Sequence, residues 1–252
     1  MKYIESVSDL ENRIRAHKLF SKTSLEKVIE TCLSNVRENS KILDLGCGSG
    51  NFYELFASKA QCYIGIDISK EMLKEFSSKR KQGAILINSS MDELPLFQSN
   101  SFDAIFSVYS IYYSLRPDTL VKNLRSALGD GGYLFVVGPS KAAHATEINK
   151  FCKTIASRNT PVVEKKSRIN NFHSKIIPEI LQRFSTENVE EIDGSLHFPS
   201  PEEWAKYVSS TPQVREYSDF NGDQLLERAT EYSAAKNCFS VSKYMTVVTA
   251  RK

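Results

Sequence analysis

The sequence has no long apolar run, few cysteines and no large excess of either charge. No segment approaches the roughly 18 apolar residues that a membrane-spanning helix requires. The first residues also lack the basic-then-apolar pattern of a secretory signal, so we expect a cytoplasmic protein with no membrane partner. None of the five cysteines forms a Cys-x-x-Cys pair, so neither a disulfide framework nor a metal site is predicted.

The charge balance indicates what the protein does not bind. Thirty-three Lys and Arg residues against 30 Asp and Glu residues leave a net charge of +3. The two basic clusters, at 79–81 and 165–168, are short, whereas proteins that grip a phosphate backbone gather a larger basic excess on one face. We therefore expect no nucleic-acid partner.

The densest chemical signal lies at residues 41–50, which read Lys-Ile-Leu-Asp-Leu-Gly-Cys-Gly-Ser-Gly. An apolar strand passes through Asp44 into a turn with glycine at alternate positions, Gly46, Gly48 and Gly50. Glycine adopts positive φ angles and lets the backbone approach a ligand closely. A helix beginning at about Asn51 is expected to direct its N–H groups toward this turn, where an anionic group is favoured.

The spacing of this motif discriminates between nucleotide cofactors. A dinucleotide site uses Gly-x-Gly-x-x-Gly, whereas this chain has Asp-x-Gly-x-Gly-x-Gly, so NAD fits poorly. A second apolar strand ends at Asp67, 23 residues after Asp44. That offset is close to the roughly 20 residues at which a carboxylate accepts hydrogen bonds from a ribose. The pattern predicts a ribose-containing cofactor with Asp67 as its ribose ligand.

Four segments in order carry a family resemblance. They are Ile42–Gly50, Gly65–Leu73, Leu94–Ser107 and Leu128–Gly132. Together they resemble the class I S-adenosylmethionine-dependent methyltransferases, in particular the small-molecule branch of the type 11 and type 25 methyltransferase domains. The resemblance covers residues 40–138 and implies S-adenosylmethionine as the cofactor.

The resemblance also implies a set of cofactor-binding residues. These are Asp44, Gly46, Cys47, Gly48, Gly50, Asp67, Ile68, Ser90, Met91, Asp92 and Ser107. Relatives commonly carry an aspartate where Ser90 stands, so we expect the Ser90 hydroxyl, the Met91 backbone or Asp92 to contact the adenine amine instead. Cys47 has an alternative role as a small packing residue in the turn.

Candidate catalytic residues follow the fourth predicted strand. Tyr109, Tyr112 and Tyr113 leave the carboxyl edge of the sheet, where open α/β sheets bind ligands. Relatives often carry a histidine pair at 112 and 113, so histidine base chemistry is not expected there. One or two of these tyrosines pack in the core under the alternative interpretation. The residues considered for the rest of the acceptor pocket or for a general base are Trp204, His144, His173 and His197.

Alternating strands and helices predict an α/β fold with a mostly parallel sheet covered on both faces. The predicted strands are 41–45, 62–67, 84–88, 103–108, 133–138 and 240–250. The resemblance implies a doubly wound, Rossmann-like sheet of seven strands whose C-terminal strand is antiparallel. Within one domain, 1–252, we expect a helical segment at 1–40, the cofactor core at 41–138, a helical cap over the acceptor at 139–200, and C-terminal helices with the last strand at 201–252.

Three functional hypotheses follow. The first is a methyltransferase acting on an oxygen, nitrogen or carbon atom of a small molecule. The second is an RNA methyltransferase, which requires a coherent basic groove. The third is a non-catalytic protein that binds S-adenosylmethionine, since a fold alone does not prove activity.

Overall fold

The computed structural model describes residues 6–79, 83–94, 97–141, 146–155, 166–217 and 220–252. The chain divides into two compact units. The larger unit comprises 26–141, 165–192 and 245–252, and the smaller comprises 1–25, 142–164 and 193–244. The helices of the described residues are α1 (Val7–Phe20), α2 (Leu25–Leu33), α3 (Tyr53–Ala57), α4 (Lys70–Ser78), α5 (Pro117–Ala127), α6 (Thr146–Ile155), α7 (Lys166–Asn171), α8 (Ile177–Arg183), α9 (Pro201–Ser209), α10 (Pro212–Tyr217) and α11 (Gly222–Lys236).

The larger unit is built on one mixed sheet. Its strands are β1 (Ser40–Leu45), β2 (Ala60–Asp67), β3 (Ala84–Asn88), β4 (Phe102–Val108), β5 (Leu128–Pro139), β6 (Ser185–Asp193) and β7 (Tyr244–Arg251). They lie in the order 3-2-1-4-5-7-6, with β1 to β5 parallel and β7 antiparallel to β5. The predicted seven-stranded, Rossmann-like sheet is thereby confirmed.

The central strands of this sheet are largely apolar, so both of its faces have to be covered. Ile42, Leu43 and Leu45 of β1 are completely buried, as a central parallel strand requires. On one face, α5 packs Val121 and Leu124 into the core. The parallel strands β1, β2 and β4 end at the same edge, which brings the glycine turn, Ile68 and Tyr109 to that edge.

Two features near the end of the sheet were not predicted. The helical region before β6 is not one regular α-helix, because a π-helical turn over Phe172–Ile176 separates α7 from α8. Pro178, in the first turn of α8, has no N–H to continue a regular α-helical pattern. The edge strand β6 was not predicted, since most of its side chains are polar and exposed and carry no apolar alternation.

The segment 139–200 is divided between the two units. Of its described residues, 166–192 group with the sheet, whereas 146–155 and 193–200 group with the smaller unit; residues 142–145 and 156–165 lie outside the described residues. Its expected role as a cover over the acceptor remains a prediction. Among the described residues, no helix has the length and apolarity needed to cross a bilayer.

The smaller unit has its own core around Trp204. This side chain is completely buried, packs edge-on against Phe151, and donates its indole N–H to the Ser240 carbonyl oxygen at 3.2 Å. A two-stranded ribbon of Leu196–His197 and Ser240–Val241 borders the core. Trp204 therefore serves as a core residue of this unit and presents no surface to an acceptor, contrary to the expectation from its position in the sequence.

Candidate functional site

The glycine turn between β1 and α3 contains one open position. All three alternate glycines have positive φ, as expected. A Cβ on Gly46 would lie 2.3 Å from Cβ of Ser110, and one on Gly50 would lie 2.7 Å from the Phe76 ring. A Cβ on Gly48 would meet no atom within 4 Å. Packing of the fold therefore requires glycine at 46 and 50, whereas Gly48 faces open space in which a ligand can lie.

The end of β2 holds this turn in place. The backbone N–H groups of Gly46 and Cys47 donate to the Ile66 carbonyl oxygen at 2.7 and 3.0 Å. Cys47 is buried, and a Cβ on Gly65 would lie only 2.8 Å from its sulfur. Burial raises the pKa of the Cys47 thiol, which disfavours the thiolate. The side chain thus occupies the packing position that was the alternative to a ligand contact.

Asp44 is a buried carboxyl group at the carboxyl end of β1. It is 4% exposed, and the Tyr63 hydroxyl donates to its Oδ2 at 2.8 Å. Burial raises the pKa of Asp44 to about 7, although the Tyr63 hydrogen bond acts in the opposite direction and the negative charge of Asp67 adds a smaller increase. Tyr63 was not predicted as part of this site, because its position next to Asp44 depends on the register in which β2 pairs with β1.

Asp67 organises the loop beside this carboxyl group. Its Oδ2 accepts the Gly48 N–H at 2.9 Å, and its Oδ1 accepts the Ser69 N–H at 2.9 Å. Each carboxylate oxygen has a second lone pair and can accept a further hydrogen bond. The next residue, Ile68, is 73% exposed. A partly exposed carboxylate and an exposed aliphatic side chain thus lie next to the open Gly48 position.

The residues expected near an adenine differ in their availability. Ser90 caps the 3-10 turn Met91–Glu93 and accepts the Asp92 N–H at 3.2 Å. The Asp92 carboxylate accepts the Leu115 N–H at 2.8 Å and also bonds the Ser114 hydroxyl. Met91 is partly buried against the core. Asp92 therefore fixes the loop after β4, and Ser90 and Met91 are the more accessible candidates for a ligand contact.

Ser107 is completely buried at the end of β4. Its hydroxyl lies 2.5 Å from that of Ser110 and donates to the Leu45 carbonyl oxygen at 3.3 Å. Ser110 also donates to Leu45. These two hydroxyls tie β4 to β1 directly under the glycine turn. Ser110 was not predicted as a site residue, because its role depends on its packing against Gly46, which lies far from it in the sequence.

The three tyrosines after β4 occupy three environments. Tyr109 has φ +54°, a left-handed conformation that is unusual for a bulky residue, and its N–H donates to the Val137 carbonyl oxygen at 2.7 Å. Tyr112 is 8% exposed, with its ring 6.0 Å from that of Phe172. Tyr113 is 51% exposed. Of the two adjacent tyrosines, Tyr112 packs in the core and Tyr113 faces outward.

The three candidate histidines have separate environments. His173 places Nε2 2.8 Å from the Pro139 carbonyl oxygen, and since a carbonyl only accepts, Nε2 carries the proton. His197 lies exposed in the ribbon of the smaller unit, and His144 lies outside the described residues. No group of three His, Cys, Asp or Glu side chains suited to a metal ion occurs in the part of the chain that the structure describes.

The helix after the glycine turn is shorter than expected. It begins at Tyr53, not Asn51, and has five residues.

A separate polar crevice of about 580 Å³ opens at the opposite edge of the sheet, near Asn100 and Lys252. Lys252 donates there to Oδ1 of Asn100 and to the Leu128 carbonyl oxygen, both at 2.7 Å. That crevice lies away from the glycine turn and from the carboxyl ends of the parallel strands.

Comparisons with known proteins agree with this geometry. A family model described as a methyltransferase domain matches residues 43–136. A tRNA U34 carboxymethyltransferase of Aliivibrio fischeri is 32% identical over 103 residues, which cover 38% of this chain and 31% of the relative. A malonyl-[acyl-carrier protein] O-methyltransferase of Legionella pneumophila is 27% identical over 180 residues, 61% of each chain.

The similarity to solved structures extends over the whole chain. A crystal structure of a SAM dependent methyltransferase from Aquifex aeolicus aligns with 99% of each chain at a TM-score of 0.58 and 13% identity. At this identity the alignment establishes the fold alone. The chain spans only about a third of the tRNA-modifying relative, so the match is concentrated on one part of that protein.

Proposed function

Since the chain belongs to the class I S-adenosylmethionine-dependent methyltransferases, we propose that it catalyses transfer of a methyl group from that cofactor to a small-molecule acceptor. The observation that carries the proposal is the open position at Gly48, with the Asp67 carboxylate bonded to its N–H and the buried Asp44 at the end of the neighbouring strand. Alternating glycines with two strand-end carboxyl groups suit a ligand with a ribose and a cationic group.

The donor set fits the cofactor. Asp67 has lone pairs for the ribose hydroxyls, and Ile68 offers an exposed apolar side chain to an adenine face. Asp44 would favour a positively charged group, since a nearby cation stabilises the ionised carboxylate. S-adenosylmethionine supplies a methyl group already activated on sulfonium sulfur, so the protein has to bind, orient and exclude water.

The acceptor side is assigned to the segment after β4. Tyr113 is exposed at the carboxyl edge, and we propose that its hydroxyl orients the acceptor. Tyr109 turns the chain out of the sheet through its left-handed backbone, a conformation that costs about 1–3 kcal/mol and is concentrated at functional sites. Tyr112 supports the turn from the core and has a packing role in this proposal.

A small acceptor is favoured over RNA by the charge distribution. The net charge is +3, and the basic clusters are short. Some matched relatives carry RNA-modifying names, which makes RNA the second candidate. The family match at residues 43–136 covers the cofactor-binding strands and the tyrosines after β4, and α7 and the rest of the segment after β5 lie outside it.

The first experiment measures cofactor binding. We expect S-adenosylhomocysteine to bind the wild-type protein in calorimetry, and Asp67→Ala to weaken it about tenfold or more, because hydrogen bonds to a charged group contribute roughly 1.5–3 kcal/mol each. The matched control is Asp130→Ala, whose side chain is 89% exposed at the opposite edge of the sheet. Equal affinity of the wild-type and Asp67→Ala proteins would remove the ribose assignment.

The second experiment identifies the acceptor class. The protein is incubated with methyl-labelled cofactor and, separately, with a small-metabolite extract and with total RNA from the same cells. Label in the low-mass fraction is the expected result. Label in RNA, together with binding that weakens steeply as salt rises, would establish the second candidate instead. Cofactor binding without transfer to either fraction would favour the non-catalytic hypothesis.

A further inference from the structure

We infer that Arg168 recognises an oxyanion, a carboxylate or phosphate, on the methyl acceptor. This inference rests on the proposed methyltransferase function. Arg168 lies in α7, and its guanidinium carbon is 4.7 Å from the centre of the Tyr113 ring. Its Nη1 donates to the Tyr113 hydroxyl at 3.3 Å. The guanidinium is therefore held against the exposed tyrosine that follows β4.

The backbone around this pair is fixed by Asn171. Its Nδ2 donates to the Tyr112 carbonyl oxygen at 2.8 Å and to the Ser114 carbonyl oxygen at 2.9 Å, on either side of Tyr113. The same helical segment continues into Phe172, whose ring contacts Tyr112. Arg168 and Tyr113 thus belong to one connected structure, although they are 55 residues apart in sequence.

The position of the guanidinium beside Tyr113 leaves donors for a ligand. Nη1 reaches the Tyr113 hydroxyl, and the planar group carries further N–H donors whose fork matches the two oxygens of a carboxylate or phosphate. Within the described ranges, no carboxylate forms an ion pair with Arg168, in contrast to Arg183, which pairs with Glu179 at 2.8 Å. An exposed arginine that is held against Tyr113 and has no carboxylate partner among the described residues is well suited to an external anion.

The neighbouring surface indicates what else the acceptor contains. Leu115 is 88% exposed two residues after Tyr113, and its N–H is fixed by Asp92. Tyr113 and Leu115 are both exposed in the loop that follows β4, and the Arg168 guanidinium lies over the Tyr113 ring. This combination fits a small amphipathic anion, with an apolar body beside the tyrosine and its oxyanion on Arg168.

The test uses the protein saturated with S-adenosylhomocysteine and three probes of similar shape: benzoate, phenyl phosphate and the neutral benzamide. Wild-type protein should bind at least one anion more tightly than benzamide, and comparing the two anions distinguishes carboxylate from phosphate recognition. Arg168→Gln should weaken that anion about 10- to 100-fold, the range for bonds to a charged group. Arg168→Lys should recover only part of the loss, since lysine lacks the planar fork.

Two controls separate this inference from the proposed function. Lys175→Gln removes an exposed cation from the following π-helical turn and should leave anion affinity within about twofold. Arg168→Gln should bind S-adenosylhomocysteine with the same affinity as the wild type. If neither the wild type nor the variants bind S-adenosylhomocysteine, the proposed function fails, and not this inference alone. If the wild type binds no anion more tightly than benzamide, or if Arg168→Gln binds the anion as the wild type does, the inference is overturned.

Discussion

Replacing Asp44 by asparagine should change how the unfolding free energy depends on pH. Burial raises the pKa of this carboxyl from its ordinary 3.8 to about 7, against the opposing effect of the Tyr63 hydrogen bond. Between about pH 4 and 7, Asp44 is therefore protonated in the folded protein and ionised in the unfolded chain. The wild type loses stability as pH rises through this window, because the ionised carboxylate is the disfavoured form in the folded state.

The magnitude follows from the size of the shift. The difference between 3.8 and about 7 is roughly 3 pKa units, and each unit corresponds to about 1.36 kcal/mol. The wild-type protein should thus lose on the order of 4 kcal/mol of unfolding free energy between pH 4 and 8, relative to Asp44→Asn. Asparagine has no proton to release, so this contribution disappears from the variant.

Urea unfolding of the ligand-free proteins at several pH values measures this difference. Tyr63→Phe removes a hydrogen bond that favours the ionised carboxylate, so its loss of stability should extend to higher pH. Asp130→Asn changes a carboxylate that is 89% exposed and serves as the control for the loss of one negative charge. If the wild type and Asp44→Asn show parallel pH profiles from pH 4 to 8, the burial argument is refuted.

Three further predictions concern packing and the cofactor turn. Gly48→Ala should cost about 1–2 kcal/mol of stability, because residue 48 has a positive φ, and should weaken S-adenosylhomocysteine binding. Gly50→Ala also forces a Cβ into the Phe76 ring, so it should lower the melting temperature much more than Gly48→Ala. Equal melting temperatures of the two variants would contradict this packing. Tyr112→Ala should cost about 3–5 kcal/mol in urea unfolding and Tyr113→Ala less than about 1, and a reversed order would contradict their burial. Lys243→Met should stabilise the protein, fully below about pH 7 and progressively less as pH rises from 7 to 10.5, since burial lowers the pKa of Lys243 from 10.5 to about 7 and the unfolded chain binds the proton first. Lower stability of the variant at pH 6 would show that the contact of Lys243 with His17 outweighs that cost.

Local physics explains what the sequence revealed about the cofactor site. The turn at residues 46–50 requires positive φ, which glycine adopts without a Cβ clash, and the flanking strands are apolar because parallel strands are buried on both faces. Both properties act over a few residues and can be recognised in the order of amino acids. The family resemblance implied seven strands with an antiparallel C-terminal strand, which the structure confirms, whereas the order 3-2-1-4-5-7-6 is a finding of the structure.

Non-local contacts decided the roles of individual side chains. Neighbouring tyrosines 112 and 113 have nearly the same local sequence context, and the core cluster that includes Phe172 buries Tyr112 and leaves Tyr113 exposed. Asp92 remains a candidate for the adenine contact, and its hydrogen bonds to the loop at 114–116 could not be read from the sequence.

Asp44 shows the same contrast between what is local and what depends on tertiary packing. The sequence by itself determined that an acid stands at the end of β1, before a glycine turn. Only the tertiary structure decided that this acid is buried under a hydroxyl from β2, because burial and hydrogen bonding depend on segments brought together from distant parts of the chain. The identity of a residue is local, whereas its pKa, its exposure and its partners are properties of the folded protein.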